Sequence, residues 1–502
     1  MIKKNSYSPW KPHPNILEIN TWIWLKELSA HYEKEISLDT LPEEIFEDYL
    51  AKFDAVWLMG IWERSPSSKK IAQDHLGLQK EFHEALEDFE SKDIIGSPYA
   101  VYYYHVDSRL GGTNALEVFR QYLQMHDIKL ILDYVPNHVS RDHLWTLETE
   151  DIFIKGTEEE LQAYPNDYFK AFDKILAHGK DPNFPAWTDT VQIDAFSEIA
   201  REKAKNTIML IAELCDGIRC DMAMLMNNEV FKRTWGEKAG AAPKKEFWDV
   251  IIPPVKERFP EFKFIGEVYW DMEWDMMQQG FDYCYDKRLY DRITDFNIAG
   301  IREHLKADFN FQKKLVRFLE NHDEPRIASI MNPSQSRVAA LLILTLPGMG
   351  LIHEGQMKGY RISIPVQLKR RIEESVNEEL RSYYHLLLQT VKQNQIKKGK
   401  WELCTEEEQS SVIAYHWWSK ETEGEFLIVV NMTDQHLKTN VKIPNLQIDS
   451  FNIKFEDQLN NDTSRYITDL IKKVGLLVEL EAWEGKIYQI SELAQISVQK
   501  TQ

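Results

Sequence analysis

Eight short apolar runs, spaced so that helical stretches fit between them, constrain this chain more than any other feature. They lie near Ile16 to Leu25, Ala55 to Met59, Lys129 to Val135, Gly217 to Met222, Phe262 to Val268, Phe281 to Tyr285, Val316 to Glu320 and Gly350 to Glu354. Each reads as a buried strand. Leu41 to Lys52 and Asn114 to His126 are helical patterns in the gaps, the second with Leu116, Phe119, Tyr122 and Leu123 on one face. Strands alternating with helices make a parallel sheet, and eight of them close into a (β/α)8 barrel.

The spacing is uneven. From Asp133 to Asp221 the chain runs 88 residues, where a strand–helix unit needs about 30. The excess assigns 140–190 to an inserted domain over the barrel mouth. A second long loop, from Ile61 to about Tyr104, leaves at the same end, and both should shape a cleft. After a helix read over Arg370 to Lys398, short strand-like runs appear in VIAYHWW, EFLIVVNMT, HLKTNVKIP and KIYQI. They predict an antiparallel β-sandwich. The expected layout is a barrel from 1–139 and 191–398, the insert, a C-terminal sandwich over 399–493 and a tail over 494–502.

With 502 residues there is room for this barrel and one smaller domain. A net charge of −20 argues against a nucleic-acid or anionic-membrane partner, because both need a basic surface. MIKKNSYSPWKPHPN has no apolar run of the kind a secretory leader needs, and no stretch is long enough to span a bilayer. A cytoplasmic protein is expected. Of its four cysteines, Cys215 and Cys220 flank a buried strand and read as inert core thiols.

Four of the apolar runs end on polar clusters: LILDYVPNH, GIRCD, FIGEV and FLENHD. Carboxylates at the ends of barrel strands face a substrate. Asp221, Glu267 and Asp323 are enough for retaining glycoside chemistry. Side chains two apart on a strand share a face, so Arg219 and Asp221 should both point into the mouth. There the guanidinium would favour the ionised carboxylate and lower its pKa, as suits a nucleophile. Glu267, among apolar neighbours, should have a raised pKa, as suits an acid, and Trp270 beside it offers a face to a sugar. Asp323 with His322 can grip adjacent hydroxyls. Taken singly, an isolated RxD is usually a structural ion pair, and a lone His138 is usually structural too.

Together the four segments resemble the four signatures of the α-amylase family of glycoside hydrolases, in the right order and on the right strands. Asp133 to His138 match DxxxNH, Gly217 to Asp221 match GxRxD, Glu267 matches the acid/base glutamate and Asn321 to Asp323 match NHD. The resemblance covers residues from about 10 to 370. It implies Asp221 as nucleophile, Glu267 as general acid/base and Asp323 as transition-state stabiliser. Arg219 would position the nucleophile, while His138 and His322 would hold hydroxyls of the sugar at the cleavage point. Tyr99 resembles the aromatic platform beneath that sugar, and Asp133 would support the site. The implied substrate is an α-linked oligosaccharide or polysaccharide, cleaved through a covalent glycosyl-enzyme intermediate. Transfer to a sugar hydroxyl or to phosphate uses the same intermediate and stays open. So does, less favoured by an intact triad, a glycan-binding protein without turnover. The oligomeric state is not legible.

Three departures from the family pattern bear on specificity. Met224 and Leu225 stand where starch-cleaving members carry a Lys-His pair contacting the sugar beyond the scissile bond. Two apolar side chains there would favour an unusual acceptor, and restoring the pair would be expected to raise activity on linear glucans. Asn137 in the family often helps hold a structural calcium with an aspartate of the insert, but VQIDAF places Gln192 there. Calcium prefers carboxylate oxygens, so no cofactor is expected, with a calcium ion on Asn137 the one alternative. Glu354, Gln356 and Arg361 replace a tyrosine-rich eighth strand and have either a cleft or a structural role. Trp62, Trp145 and Trp187 on rim loops are candidate sugar platforms.

Overall fold

The computed structural model describes residues 8–148, 150–404, 411–419 and 424–493. The expected tail over 494–502 and the first seven residues of the leader reading lie outside them. Eight parallel strands close into a barrel. They are β1 (Asn15–Asn20), β2 (Ala55–Met59), β3 (Lys129–Tyr134), β4 (Gly217–Cys220), β5 (Lys263–Gly266), β6 (Tyr283–Tyr285), β7 (Leu315–Arg317) and β8 (Met349–His353). Every residue of these strands except Lys263 is buried, as a sheet covered on both faces requires.

Alternation along the strands builds two apolar layers. Ile16, Trp57, Ile131, Ile265, Val316 and Leu351 fill the barrel interior. Leu17, Val56, Leu132, Ile218, Phe264 and Ile352 face outward against the helices. Register sets Arg219 beside Asp133 on β3 and Ile265 on β5. A guanidinium thus stands on the inner face at the level where the strands end.

Three expected elements differ in extent. The first run is strand only to Asn20, and Thr21–His31 is a helix burying Ile23, Trp24 and Leu25. A continuous apolar run cannot separate a buried strand from the buried face of the helix that follows. Leu41 to Lys52 contains a π-helical turn at Ile45–Tyr49 and a 3-10 turn at Leu50–Lys52. The helix read over Arg370 to Lys398 covers Glu378–Gln393, capped by the Asn377 side chain. The preceding residues stay non-helical while Arg370 pairs with Asp88 and Asp93, and Arg371 with Glu27 and Glu354.

The excursion after β3 opens and closes on a ribbon of His138–Ser140 with Thr190–Gln192, and holds a second ribbon, Tyr168–Ala171 with Lys174–Ala177. Beyond the barrel, six antiparallel strands form one sheet, and Leu437–Val441 with Leu476–Leu480 form another. Val412, Leu427, Val429, Val441, Val478 and Ile490 make their shared core. Trp417 anchors the large sheet to the barrel by donating to the Thr345 carbonyl at 2.8 Å. The four cysteines are buried and none is in a disulfide among the described residues. Among the described residues, no helix is long and apolar enough to cross a membrane.

Candidate active site

Arg219 is the centre of the barrel mouth. It is 1% exposed, and its two terminal nitrogens serve different carboxylates. Nη1 donates to Asp221 Oδ1 at 2.8 Å, and Nη2 donates to Glu267 Oε2 at 2.6 Å. Asp133 Oδ1 stands 3.6 Å from Nη1. The rings of Trp57 and Tyr99 lie 5.2 and 5.3 Å from the guanidinium carbon and shield it from water. Asp221 and Glu267 are thus tethered to one cation between neighbouring strands.

Glu267 is fixed twice more. The Met222 amide donates to Oε2 and the Tyr269 hydroxyl donates to Oε1, both at 2.8 Å. That amide is aimed by an unusual backbone, because Met222 adopts a left-handed conformation (φ 41°) before the 3-10 turn Ala223–Met226. Burial pushes the Glu267 carboxyl up to about 7; Arg219 opposes, and the charges of Asp221 and Asp323 reinforce the rise. Burial also raises Asp133, to about 6, and raises Asp221 although Arg219 pulls it down. The expectation of a lowered Asp221 pKa is therefore reversed. One guanidinium divided among three buried carboxylates does not offset their loss of water.

His322 organises the opposite wall. Its Nδ1 lies 2.5 Å from Glu18 Oε1, and its Nε2 lies 3.0 Å from Asp323 Oδ2 and 2.6 Å from the Tyr99 hydroxyl. Although burial disfavours its charge, Asp323 and Glu18 hold the imidazole well above the usual histidine range. The imidazolium in turn holds the Asp323 carboxyl below its usual range despite burial. Tyr99 stacks on this ring at 5.3 Å between centroids. His138 stands under Trp187, ring centroids 5.0 Å apart, and burial lowers its pKa to about 4. It is a neutral hydrogen-bonding ring at ordinary pH.

A cleft of about 480 Å³ joins these groups. Asp221, Glu267, Asp323, Tyr99 and His138 line it, with Trp187 on the rim. Arg219, Asp133 and His322 lie behind them. Trp270 is not in the cleft; it lines an adjoining cavity of about 540 Å³ with Phe184 and Arg233.

Several expectations are corrected by the packing. Met224 and Leu225 are 0% and 2% exposed, so they cannot meet a sugar; Met222 is the apolar residue that lines the cleft there. Trp62 is buried and donates to the Asp133 carbonyl. Trp145 packs inside the insert. Glu354 pairs with Arg371, Gln356 donates to the Tyr384 hydroxyl, and the Arg361 amide donates to Glu374. None of the three lines the cleft. Two residues the sequence reading missed are Glu18 and Tyr269. Glu18 had a signal: it is the one carboxylate in NILEIN, 0% exposed on β1.

Asn137 faces Gln192 as predicted, and the pair is saturated. Gln192 Nε2 donates to the Asn137 side-chain and backbone oxygens at 2.9 and 3.0 Å and to the Ile193 carbonyl at 2.9 Å. Its Oε1 accepts from Asn137 Nδ2 and from the Lys180 amide. These are neutral amides spending their polar atoms on each other, a donor set that does not suit calcium. Among the described residues, no group of three or more His, Cys, Asp or Glu is placed to hold a metal.

The alpha-amylase catalytic-domain profile matches residues 48–385. Curated relatives are alpha-amylase 3 of Dictyoglomus thermophilum, 23% identical over 52% of this chain and 54% of that protein, and a cyclomaltodextrinase of Thermoanaerobacter pseudethanolicus, 22% identical over 65% and 56%. The chain thus spans little more than half the length of these relatives. Among solved structures, an alpha-amylase of Geobacillus thermoleovorans complexed with acarbose superposes with a TM-score of 0.68 at 17% identity, covering 97% of this chain and 99% of that one. A maltogenic alpha-amylase of Thermotoga neapolitana gives 0.65 at 18%, covering 95% and 99%.

Proposed function

Since the chain belongs to the alpha-amylase family, with the catalytic domain over residues 48–385, we propose that it cleaves α-glucosidic linkages with retention. The carrying observation is the bridge from Asp221 through Arg219 to Glu267. One guanidinium hydrogen-bonded to both carboxylates holds them side by side at the mouth of the barrel, the pairing of nucleophile and acid that a double displacement uses.

In this reading Asp221 attacks the anomeric carbon while Glu267 gives its proton to the departing oxygen. A carboxyl held at about 7 still carries that proton near neutrality. Glu267, now ionised, then takes a proton from the acceptor that opens the glycosyl ester. Asp323, kept anionic by His322, accepts hydrogen bonds from sugar hydroxyls that strengthen as positive charge develops on the ring. His138 binds hydroxyls, His322 holds Asp323 and the Tyr99 hydroxyl from behind, Tyr99 supplies a stacking face, and Asp133 helps hold Arg219 in place. The saturated Asn137–Gln192 pair supports a scaffold that needs no cation. The Geobacillus protein was crystallised with acarbose, and both curated relatives carry names of α-glucan enzymes; an α-glucan is the proposed substrate class.

An NMR time course with α-glucosyl fluoride tests this, because the activated donor needs only the sugar site at the point of cleavage. The expected result is fluoride release with α-glucose as first product, absent in Asp221→Ala. First-formed β-glucose, or equal rates from the variant, would overturn it. Added maltose or phosphate would yield a longer glucan or a sugar phosphate if transfer competes with water.

A further inference from the structure

The barrel has a second chemically distinctive cavity, at the end opposite the cleft. It measures about 380 Å³. Asn15 opens β1, Asp54 immediately precedes β2, and Gly348 immediately precedes β8, so the cavity sits under the N-terminal ends of the strands. This face of a barrel ordinarily serves stability. Here five lysines, Lys11, Lys52, Lys392, Lys397 and Lys398, line it together with His13, and Asp54 is the one carboxylate among the lining residues. The chain has 80 acidic against 60 basic residues, so a patch drawn at random from it would be acidic.

Lys397 is the informative member. It is 7% exposed, and its ammonium donates only to neutral oxygens, Asn15 Oδ1 at 2.7 Å and the Gly348 carbonyl at 3.3 Å. An ammonium has three donors, so one remains for the cavity. Among the described residues, no carboxylate lies within ion-pair distance of it. Asp54 is partly committed, accepting from the Asn15 amide at 2.8 Å. Lys392 reaches the carbonyls of Ala51 and Phe53, again without neutralising charge. The electrostatic consequence shows in two neighbours. Burial brings the Lys397 ammonium down to about 7 against the pull of Asp54. Burial and the charges of Lys397, Lys313 and Arg317 hold His13 at about 3. Unpaired buried charge is costly, and a multivalent anion is the ligand that would relieve it.

We propose that this cavity binds a phosphate group, either inorganic phosphate or the phosphate of a small ester. Lys397 holds it from the floor and Lys52 and Lys392 from the rim. Bound there, it ties the turn after the helix Glu378–Gln393, where Lys397 and Lys398 lie, to the start of β1. The proposal does not depend on the reaction assigned to the cleft.

The test is thermal unfolding and titration calorimetry with sodium phosphate against sodium chloride of equal ionic strength. Wild type should show a saturable, phosphate-specific rise in Tm and a measurable Kd. Lys397→Met should abolish it. The rim pair Lys52→Gln with Lys392→Gln, which leaves the buried lysine in place, should weaken it at least tenfold. Turnover of α-glucosyl fluoride by both variants checks that the cleft is intact. Glucose 6-phosphate binding tenfold tighter than inorganic phosphate would identify an ester as ligand, and equal affinity would identify the free ion. No phosphate-specific stabilisation, or one that survives the rim variant, would overturn the proposal.

Discussion

Glu267 should set the alkaline limb of the pH–rate profile, and the structure gives its position. Burial raises this carboxyl from 4.5 to about 7, with Arg219 opposing and the Asp221 and Asp323 charges assisting. At 1.36 kcal/mol per unit, that shift is worth about 3 kcal/mol. As proton donor it must be protonated, so kcat/KM on an unactivated α-glucoside should fall tenfold per pH unit above about 7. Fluoride departs without a proton, and kcat/KM reports only the steps up to glycosylation; with α-glucosyl fluoride the same limb should be absent. Glu267→Gln should lose roughly 10²- to 10⁴-fold on the unactivated substrate and far less on the fluoride. Stability supplies an independent reading. A carboxyl raised in the folded state contributes stability that is full below the unfolded pKa of 4.5 and lost as pH rises through 7. Glu267→Gln escapes that loss, so its Tm relative to wild type should climb between pH 5 and pH 8. An identical alkaline limb with both substrates, or a Tm difference constant with pH, would refute the assignment.

Other perturbations test separate parts of the account. Asp221→Ala should reduce fluoride release by at least roughly 10³-fold while the Tm holds or rises, since a buried, destabilised carboxyl is removed; a lower Tm with retained turnover would contradict both halves. Met224→Lys with Leu225→His should give a less stable protein and no gain on linear glucans, because both positions are closed to the cleft and a buried ammonium costs several kcal/mol; increased maltoheptaose hydrolysis would show that the turn opens. Chelation by EDTA should leave the Tm unchanged, whereas Gln192→Ala should cost about 1–3 kcal/mol by stranding the Asn137 amide; a Tm that falls with EDTA would place a cation at this junction.

The barrel was legible because its strands are buried on both faces and read as unbroken apolar runs, and because Asp221 and Glu267 each sit one residue past a strand, with Asp323 closing the polar cluster that follows another. Asp221, Glu267 and Asp323 needed only strand ends to be located. Glu18 was equally legible, a lone carboxylate inside β1, but no cluster follows it to draw attention. Beyond the strand ends the reading weakened, since spacing does not specify backbone conformation. Counting three and four residues past Asp221 placed Met224 and Leu225 against the acceptor. The left-handed Met222 redirects the chain, so Met222 itself meets the cleft and the next four residues turn into the core.

The charge state of the cleft was the least legible property, and the reason lies in how many partners one cation serves. A local motif pairs Arg219 with Asp221 and implies a carboxylate stabilised in its ionised form. Folding brings Asp133 and Glu267 to the same guanidinium and removes water from all three. Burial then dominates, and the stabilisation the motif promised to one residue is divided. The imidazolium on the opposite wall, His322, is claimed by Glu18 and Asp323, so it lends little to the pair across the cleft. The result is two chemically unlike carboxyl environments facing one cleft: Asp323 held anionic by its own histidine, Glu267 pushed up to about 7 by burial. That asymmetry is what the proposed acid-assisted departure requires, and it arises from strands far apart in sequence.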